Sequence, residues 1–383
     1  MKRQLFLYAS LSLLAAAGLG LTGCNNSSSS GDTIKVGEFA SLTGKEATFG
    51  TSSHEGTLLA IEEVNAAGGV LGKKLELITE DDQTKAGEPA NAVNKLISKD
   101  NVVAVLGEVA SSRSLEAAPI CKDSKIPMIS PASTNPKVTK VGDYIFRVCF
   151  TDVFQGSALA NFATGTLKAK KVAVLTDVKS DYSKGLASYF KDKFKANGGE
   201  IVSELDFNGG DKDFKGQLST IKGTAPDAIF LPGYYTDVAL ICIQAKQLGL
   251  AVPIFGGDGW ESETLLTIGK DAMNGHYFST HCAADQATPQ MTKFVAAYKK
   301  RFDGKTPDAM AVLGYDSAMV LVDSIKRAKT TESGALRSAI ASTKDFDGVS
   351  GTFSINADRD AEKALVFIRI ENGAFKYSAT VKP

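Results

Sequence analysis

Between Ile34 and Phe255 the sequence alternates short apolar, β-branched runs with longer amphipathic segments. Ile34–Leu42, Lys74–Thr79, Val102–Gly107 and Pro127–Ser130 read as strands, and His54–Ala67, Pro89–Ser98 and Ser112–Asp123 as the helices between or after them. In the first helix Leu58, Leu59, Ile61 and Val64 fall on one face, and Gly68-Gly69 stops it. A second series follows, with helices over Gln155–Leu167, Tyr182–Ala196, Phe214–Lys222 and Thr236–Leu248. Its strands are Lys171–Asp177, Glu200–Asp206, Asp227–Leu231 and Val252–Phe255. Strands joined by helices run parallel and need helical cover on both faces. The chain is therefore expected to be α/β, with two lobes of largely parallel sheet and a crevice between them. After the second series come two successive helices, Thr288–Arg301 and Ala309–Ala328, and two more strands, Val349–Ile355 and Ala364–Asn372.

The N-terminus carries a different message. Lys2 and Arg3 precede an apolar run from Leu5 to Leu21, which ends in Leu21-Thr22-Gly23-Cys24. This pattern predicts an export signal over 1–23 and lipid attachment at Cys24. Asn25, Asn26 and four serines make 24–33 a polar tether. The alternative is a simple anchor helix, for which the run is short. The expected location is extracytoplasmic, in the periplasm or at the cell surface, with lipid as the only membrane contact. Lys plus Arg and Asp plus Glu number 43 each, so no nucleic-acid footprint is visible. Cys121, Cys149, Cys242 and Cys282 show no CxxC spacing, which argues against zinc and thioredoxin-like redox work. An exported chain permits a disulfide among them, but buried thiols are the favoured reading.

The search for reaction chemistry is negative. Gly68–Lys73 has neither the spacing nor the strand-to-helix order of a phosphate loop, and Gly256-Gly257-Asp258-Gly259 is no dinucleotide fingerprint. Three histidines, His54, His276 and His281, form no metal set and no triad and read as surface or structural residues. No enzyme activity, cofactor or metal is expected.

A binding site is expected instead. In open α/β sheets ligands sit beyond the carboxyl ends of the strands. Those ends here offer Ser111 beside a new helix, then Ala132 and Thr134, then Tyr182, Tyr234, and Asp258 with Trp260. Hydroxyls and helix N-termini suit a carboxylate. Asp258, read as the one unpaired acid of the set, suits an ammonium. Phe49, Tyr182, Tyr234 and Trp260 could wall an apolar side chain. Each has a plainer alternative: serines as helix caps, Asp258 as a turn residue, Trp260 as a packing residue.

The stretches Ile34–Gly44, Ala60–Gly72 with Asn-Ala-Ala-Gly-Gly-Val-Leu-Gly, Leu75–Gln83, Gly107–Ser114, Pro127–Pro136, Tyr182–Ala187, Asp213–Leu218 and Phe255–Trp260 together resemble the Leu/Ile/Val-binding proteins of ABC transporters, of the type I periplasmic binding fold. The resemblance covers essentially all of 33–375. It implies two lobes joined by three hinge crossings, about 34–153 with 281–362 and 154–280 with 363–383. It implies that Ser111, Thr134 and the Ala132 backbone hold a ligand carboxylate. Tyr182 would touch the ligand main chain, Tyr234 and Phe49 its side chain, and Asp258 its ammonium. The ligand would be leucine, isoleucine or valine, the receptor a monomer, and its partners the permease subunits of an importer. Two departures stand out. The best-known members have Glu where this chain has Asp258, and they carry a disulfide whose positions match Asp82 and Ala110 here. The shorter acid leaves open another small amino acid, an amide or urea as ligand, and the same fold also serves as a ligand sensor.

Overall fold

A computed structural model describes residues 33–383. The export signal, most of the tether and the Cys24 lipidation site lie outside the described residues, and Thr33 already opens the first strand.

Two sheets organise the chain. The first has five strands in the order Lys74–Asp81, Thr33–Ala40, Val105–Leu106, Met128–Ser130, Ile145–Arg147, all parallel. The second has seven, in the order Ala374–Val381, Leu365–Glu371, Tyr277–Thr280, Ile254–Gly256, Ala228–Phe230, Lys171–Asp177, Glu200–Phe207. Its last five neighbours pair in parallel, while Leu365–Glu371 pairs antiparallel on both sides. A small antiparallel sheet joins Phe346–Gly348, Gly351–Ile355 and Ala361–Glu362. Parallel neighbours cannot be joined by a tight turn, and the helices supply the crossovers.

The helices cover the sheets with apolar side chains. Phe190, Phe194, Phe230 and Phe255 pack together on one face of the seven-stranded sheet, and Val93, Leu96, Val105, Ala117 and Met128 on one face of the five-stranded sheet. Helix ends follow their local chemistry. Ser180 accepts a hydrogen bond from the Ser183 N–H at 3.2 Å, Asp181 sits in the first turn of Asp181–Ala196, and Lys193 and Lys195 sit in the last.

Three local differences from the sequence reading have physical causes. The first helix begins at Ala47, well before His54, and so carries Phe49. Its opening residues are small and polar and show no apolar stripe, because backbone approach rather than side-chain packing fixes them there. A Cβ on Gly56 would strike the Ala311 carbonyl, and one on Gly314 the Ser53 carbonyl, so Ala47–Ala66 and Ala309–Ala328 cross in near backbone contact. Val102–Gly107 pairs as a strand only at Val105–Leu106, yet Val103 N–H still reaches Lys35 O and Gly107 N–H reaches Ile129 O. The strand ending at Glu371 is followed by another, Ala374–Val381, through Asn372-Gly373 with both φ positive, a hairpin turn.

Among the described residues no helix is long and apolar enough to cross a membrane, and the four cysteines are buried and free.

Candidate functional site

The carboxyl ends of the parallel strands meet. From the five-stranded sheet, Leu106 leads to the helix Ser111–Asp123, whose first N–H groups have no partner within the helix. Ser130 leads to Ala132 and Thr134. The two loops are joined by the Asn135 N–H, which donates to Ser111 Oγ at 3.2 Å. From the seven-stranded sheet come Tyr182, Tyr234 and Asp258. Cross-links between the two sets are direct. Asn135 Nδ2 donates to Asp181 O at 2.7 Å, Ser112 Oγ bonds Asp181 Oδ2 at 3.1 Å, and the Tyr235 hydroxyl donates to Lys45 O at 2.9 Å.

Three aromatic rings form a continuous wall. Tyr182 stacks on Tyr234 with centroids 5.3 Å apart and planes within 10°. Phe49 meets Tyr234 edge-on at 5.7 Å. The Tyr182 hydroxyl accepts from the Gly259 N–H at 3.1 Å, which leaves its own proton free to donate. Burial, then the charge of Asp258, pushes that phenol well above its ordinary range. Trp260 stands apart from this wall. It is fully buried, donates from Nε1 to Leu231 O at 2.9 Å and packs toward Phe278, the contacts of a core residue.

Asp258 is where the structure revises the sequence reading most. It is neither unpaired nor the only acid. Its Oδ1 accepts from Gln155 Nε2 at 2.8 Å, and its Oδ2 lies 3.1 Å from His281 Nε2. The flanking glycines are needed here: a Cβ on Gly257 would meet the Tyr182 hydroxyl and lie 3.0 Å from Gln155 Nε2, and one on Gly259 would lie 3.0 Å from Tyr182 Cε1. Nearby, Asp152 opens the helix Asp152–Gly165, with its N–H on Thr134 O at 2.9 Å. Asp152 is wholly buried, and neither carboxyl oxygen has a hydrogen-bond partner among the described residues. Burial and then the Asp258 charge raise its pKa well above the carboxylate range, which favours the neutral acid. Thr134 Oγ1 is likewise buried, with its hydroxyl facing the Asp152 carboxyl.

Behind the loop sits Arg147, which the sequence reading passed over. Its fully buried guanidinium donates to Asn135 O at 2.8 Å and to Ser133 O, so it grips the carbonyls on either side of Thr134. An ion pair with Asp360 at 2.6 Å completes its surroundings. Asp152, Gln155, Arg147 and His281 are thus additions to the expected set.

Two cavities lie close by. One of 410 Å³ is bordered by Lys45, Ala110, Ser112, Asp181 and Tyr234, at the rim of the cluster. Another of 930 Å³, between Thr48, Glu261, Phe278 and Phe375, includes none of the expected site residues.

A family model described as periplasmic binding protein matches residues 33–374. A leucine-, isoleucine-, valine-, threonine- and alanine-binding protein of Pseudomonas aeruginosa is 32% identical over 320 residues, 83% of this chain and 84% of that protein. Among solved structures, a leucine binding protein of Thermotoga maritima superposes with TM-score 0.88 at 42% identity, over 91% of this chain and 99% of that one. A branched-chain amino acid transporter substrate binding protein of Streptococcus pneumoniae, in complex with isoleucine, superposes with TM-score 0.86 at 35% identity, over 92% and 100%.

Proposed function

The chain belongs to the periplasmic binding protein family, and on that premise we propose that it is the extracytoplasmic solute receptor of an ABC importer for branched-chain amino acids. The observation that carries the reading is the chemistry gathered at the strand ends. The acid Asp258, hydroxyls at Ser111 and Thr134 and a helix N-terminus share a buried cluster with an aromatic wall. That set matches a zwitterion with an apolar side chain, because each end finds an opposite partial or full charge in a site that excludes water. The leucine, isoleucine and valine relatives support the same ligand class.

In this reading the five-stranded and seven-stranded sheets are the cores of two lobes, 34–153 with 281–362 and 154–280 with 363–383. The Ser112–Asp181, Asn135–Asp181 and Lys45–Tyr235 bonds belong to a closed form reached by hinge motion. Ligand contacts from both sides favour that form, and the permease subunits recognise it. Lipid on Cys24 holds the receptor at the membrane. The residues do no chemistry on the solute.

The test is calorimetric titration of the purified chain with each amino acid, simple amides and urea. Binding confined to leucine, isoleucine and valine is the expected result. Binding of a solute without an ammonium group, and of none with one, overturns the assignment.

A further inference from the structure

We propose that Gln155 and His281 are positioning residues that hold the Asp258 carboxylate with neutral hydrogen bonds, so that the site selects an α-ammonium over an α-hydroxyl. The inference rests on the reading that Asp258 takes the ligand's ammonium. It explains how a short acid can serve there. Asp258 follows the strand Ile254–Gly256 directly, and each oxygen has its own donor: Gln155 Nε2 at 2.8 Å on Oδ1, His281 Nε2 at 3.1 Å on Oδ2. The donors are themselves fixed. Gln155 Nε2 also lies 3.1 Å from Ser279 Oγ, and the His281 ring stacks on Phe150 at 4.0 Å and 26°. Gln155 and His281 are buried.

Both donors are uncharged. Burial holds His281 below its ordinary range even against the pull of Asp258, so the ring donates from Nε2 as a neutral imidazole. Nδ1 has no partner among the described residues. The other titratable groups that feel the Asp258 charge are Asp152, Tyr182, Tyr234, Cys149 and Glu261; the buried cation Lys363 acts on His281 and Cys149, but its ammonium is held by Val148 O and Ser350 Oγ and makes no bond to Asp258. A lysine, an arginine or a charged histidine here would neutralise Asp258 and compete with the incoming ammonium. Neutral donors orient the carboxylate and leave its charge available. An ammonium gains from that charge in a low-dielectric site much more than a hydroxyl does.

The experiment is titration of wild type, Gln155→Met, His281→Phe and His281→Gln with leucine and with 2-hydroxy-4-methylpentanoate, which shares its skeleton. Gln155→Met and His281→Phe should each lower the amino-to-hydroxy affinity ratio by about tenfold, the loss of one hydrogen bond to a charged group. His281→Gln, which returns an N–H to the Nε2 position, should recover most of it. Equal weakening of both ligands, as general damage to the fold would give, overturns the proposal. So does an unchanged ratio in both donor-deleted variants. A wild type that binds leucine no better than its hydroxy analogue refutes instead the role of Asp258 itself.

Discussion

Asp258→Asn isolates the charge of the site from its shape. The side chains have the same size, so packing against Tyr182 and the flanking glycines is kept. The hydrogen bonds can also be kept. Asn Oδ1 still accepts from Gln155, and the Asn amide can donate to His281 once the neutral ring moves its proton from Nε2 to Nδ1, the nitrogen that has no partner among the described residues. The fold should therefore lose little. What disappears is the bond between a full negative charge and the ligand ammonium, worth about 1.5–3 kcal/mol. That corresponds to a roughly 10- to 150-fold rise in Kd for leucine. Calorimetric titration of both proteins measures it, and a ligand-free melting curve verifies the fold. A Kd within about threefold of wild type, less than the 1.4 kcal/mol of one tenfold step, would refute the assignment of Asp258 as ammonium partner.

Three further outcomes are expected. Ser111→Ala and Thr134→Ala should each weaken leucine binding, and Ser111→Ala should also lower the ligand-free melting temperature because it strips the buried Asn135 N–H of its acceptor; normal binding in both places the ligand carboxylate elsewhere. Arg147→Met breaks a buried ion pair and two carbonyl contacts, and should lower the unfolding free energy in urea by about 3 kcal/mol, the lower end for such pairs because the Asp360 side chain keeps 12% exposure; a loss under about 1 kcal/mol would mean that Ser133 and Asn135 are held by other means. His276 Nδ1 accepts from the Ile254 N–H at 3.2 Å, and burial depresses its pKa to about 4. The unfolded chain binds that proton near pH 6.5 and the folded chain only near pH 4, so stability falls as pH drops between those values, and His276→Asn, which keeps an acceptor, should flatten that part of the profile.

The parts of this fold legible in the sequence are those set by local periodicity. A strand buried on both faces has to carry a continuous apolar run, as Val172–Leu175 does within Lys171–Asp177, and a crossover helix has to be amphipathic. Once the strands are placed, their carboxyl ends follow, and with them Ser111, Thr134, Tyr182, Tyr234 and Asp258. What escaped is set by tertiary contact. Asp152 looks like an ordinary acid in the first turn of a helix, where the helix dipole would favour it; only burial beside Thr134 distinguishes it. Gln155 is one turn further along the same helix. Arg147 ends a strand of three residues, and nothing local says that its guanidinium turns inward. His281 reads as surface or structural because no second ligand or base accompanies it in sequence; its contacts are Asp258, in the loop after another strand, and the ring of Phe150, over a hundred residues earlier. Trp260 is the reverse case: its place beside Asp258 in sequence implies a share in the wall, whereas its indole turns back to Leu231 O.

The strand ends of the five-stranded sheet also need a fastening, and Asp82 and Ala110, matched by resemblance to the disulfide positions of the best-known members of the family, show what supplies it. Asp82 Oδ1 accepts from Ser41 Oγ at 2.6 Å and from the Thr84 N–H at 3.0 Å. The Ala110 N–H donates to Glu108 Oε2 at 2.6 Å, and Glu108 Oε1 accepts from the Ser41 N–H at 3.1 Å. The Glu108 carbonyl then takes the hydroxyls of Ser130 at 2.8 Å and Ser133 at 2.9 Å. One residue thus ties the ends of three strands, next to the loops that carry Ser111, Ala132 and Thr134. A disulfide acts largely by shortening the unfolded chain. A carboxyl knot acts in the folded state, and each of its bonds is strong only while water is kept out. On the proposed reading, the edge that presents the hydroxyls to a ligand is held by the same exclusion of water that would make those hydroxyls and Asp258 effective, so packing around Glu108 and binding at Ser111 and Thr134 should rise and fall together.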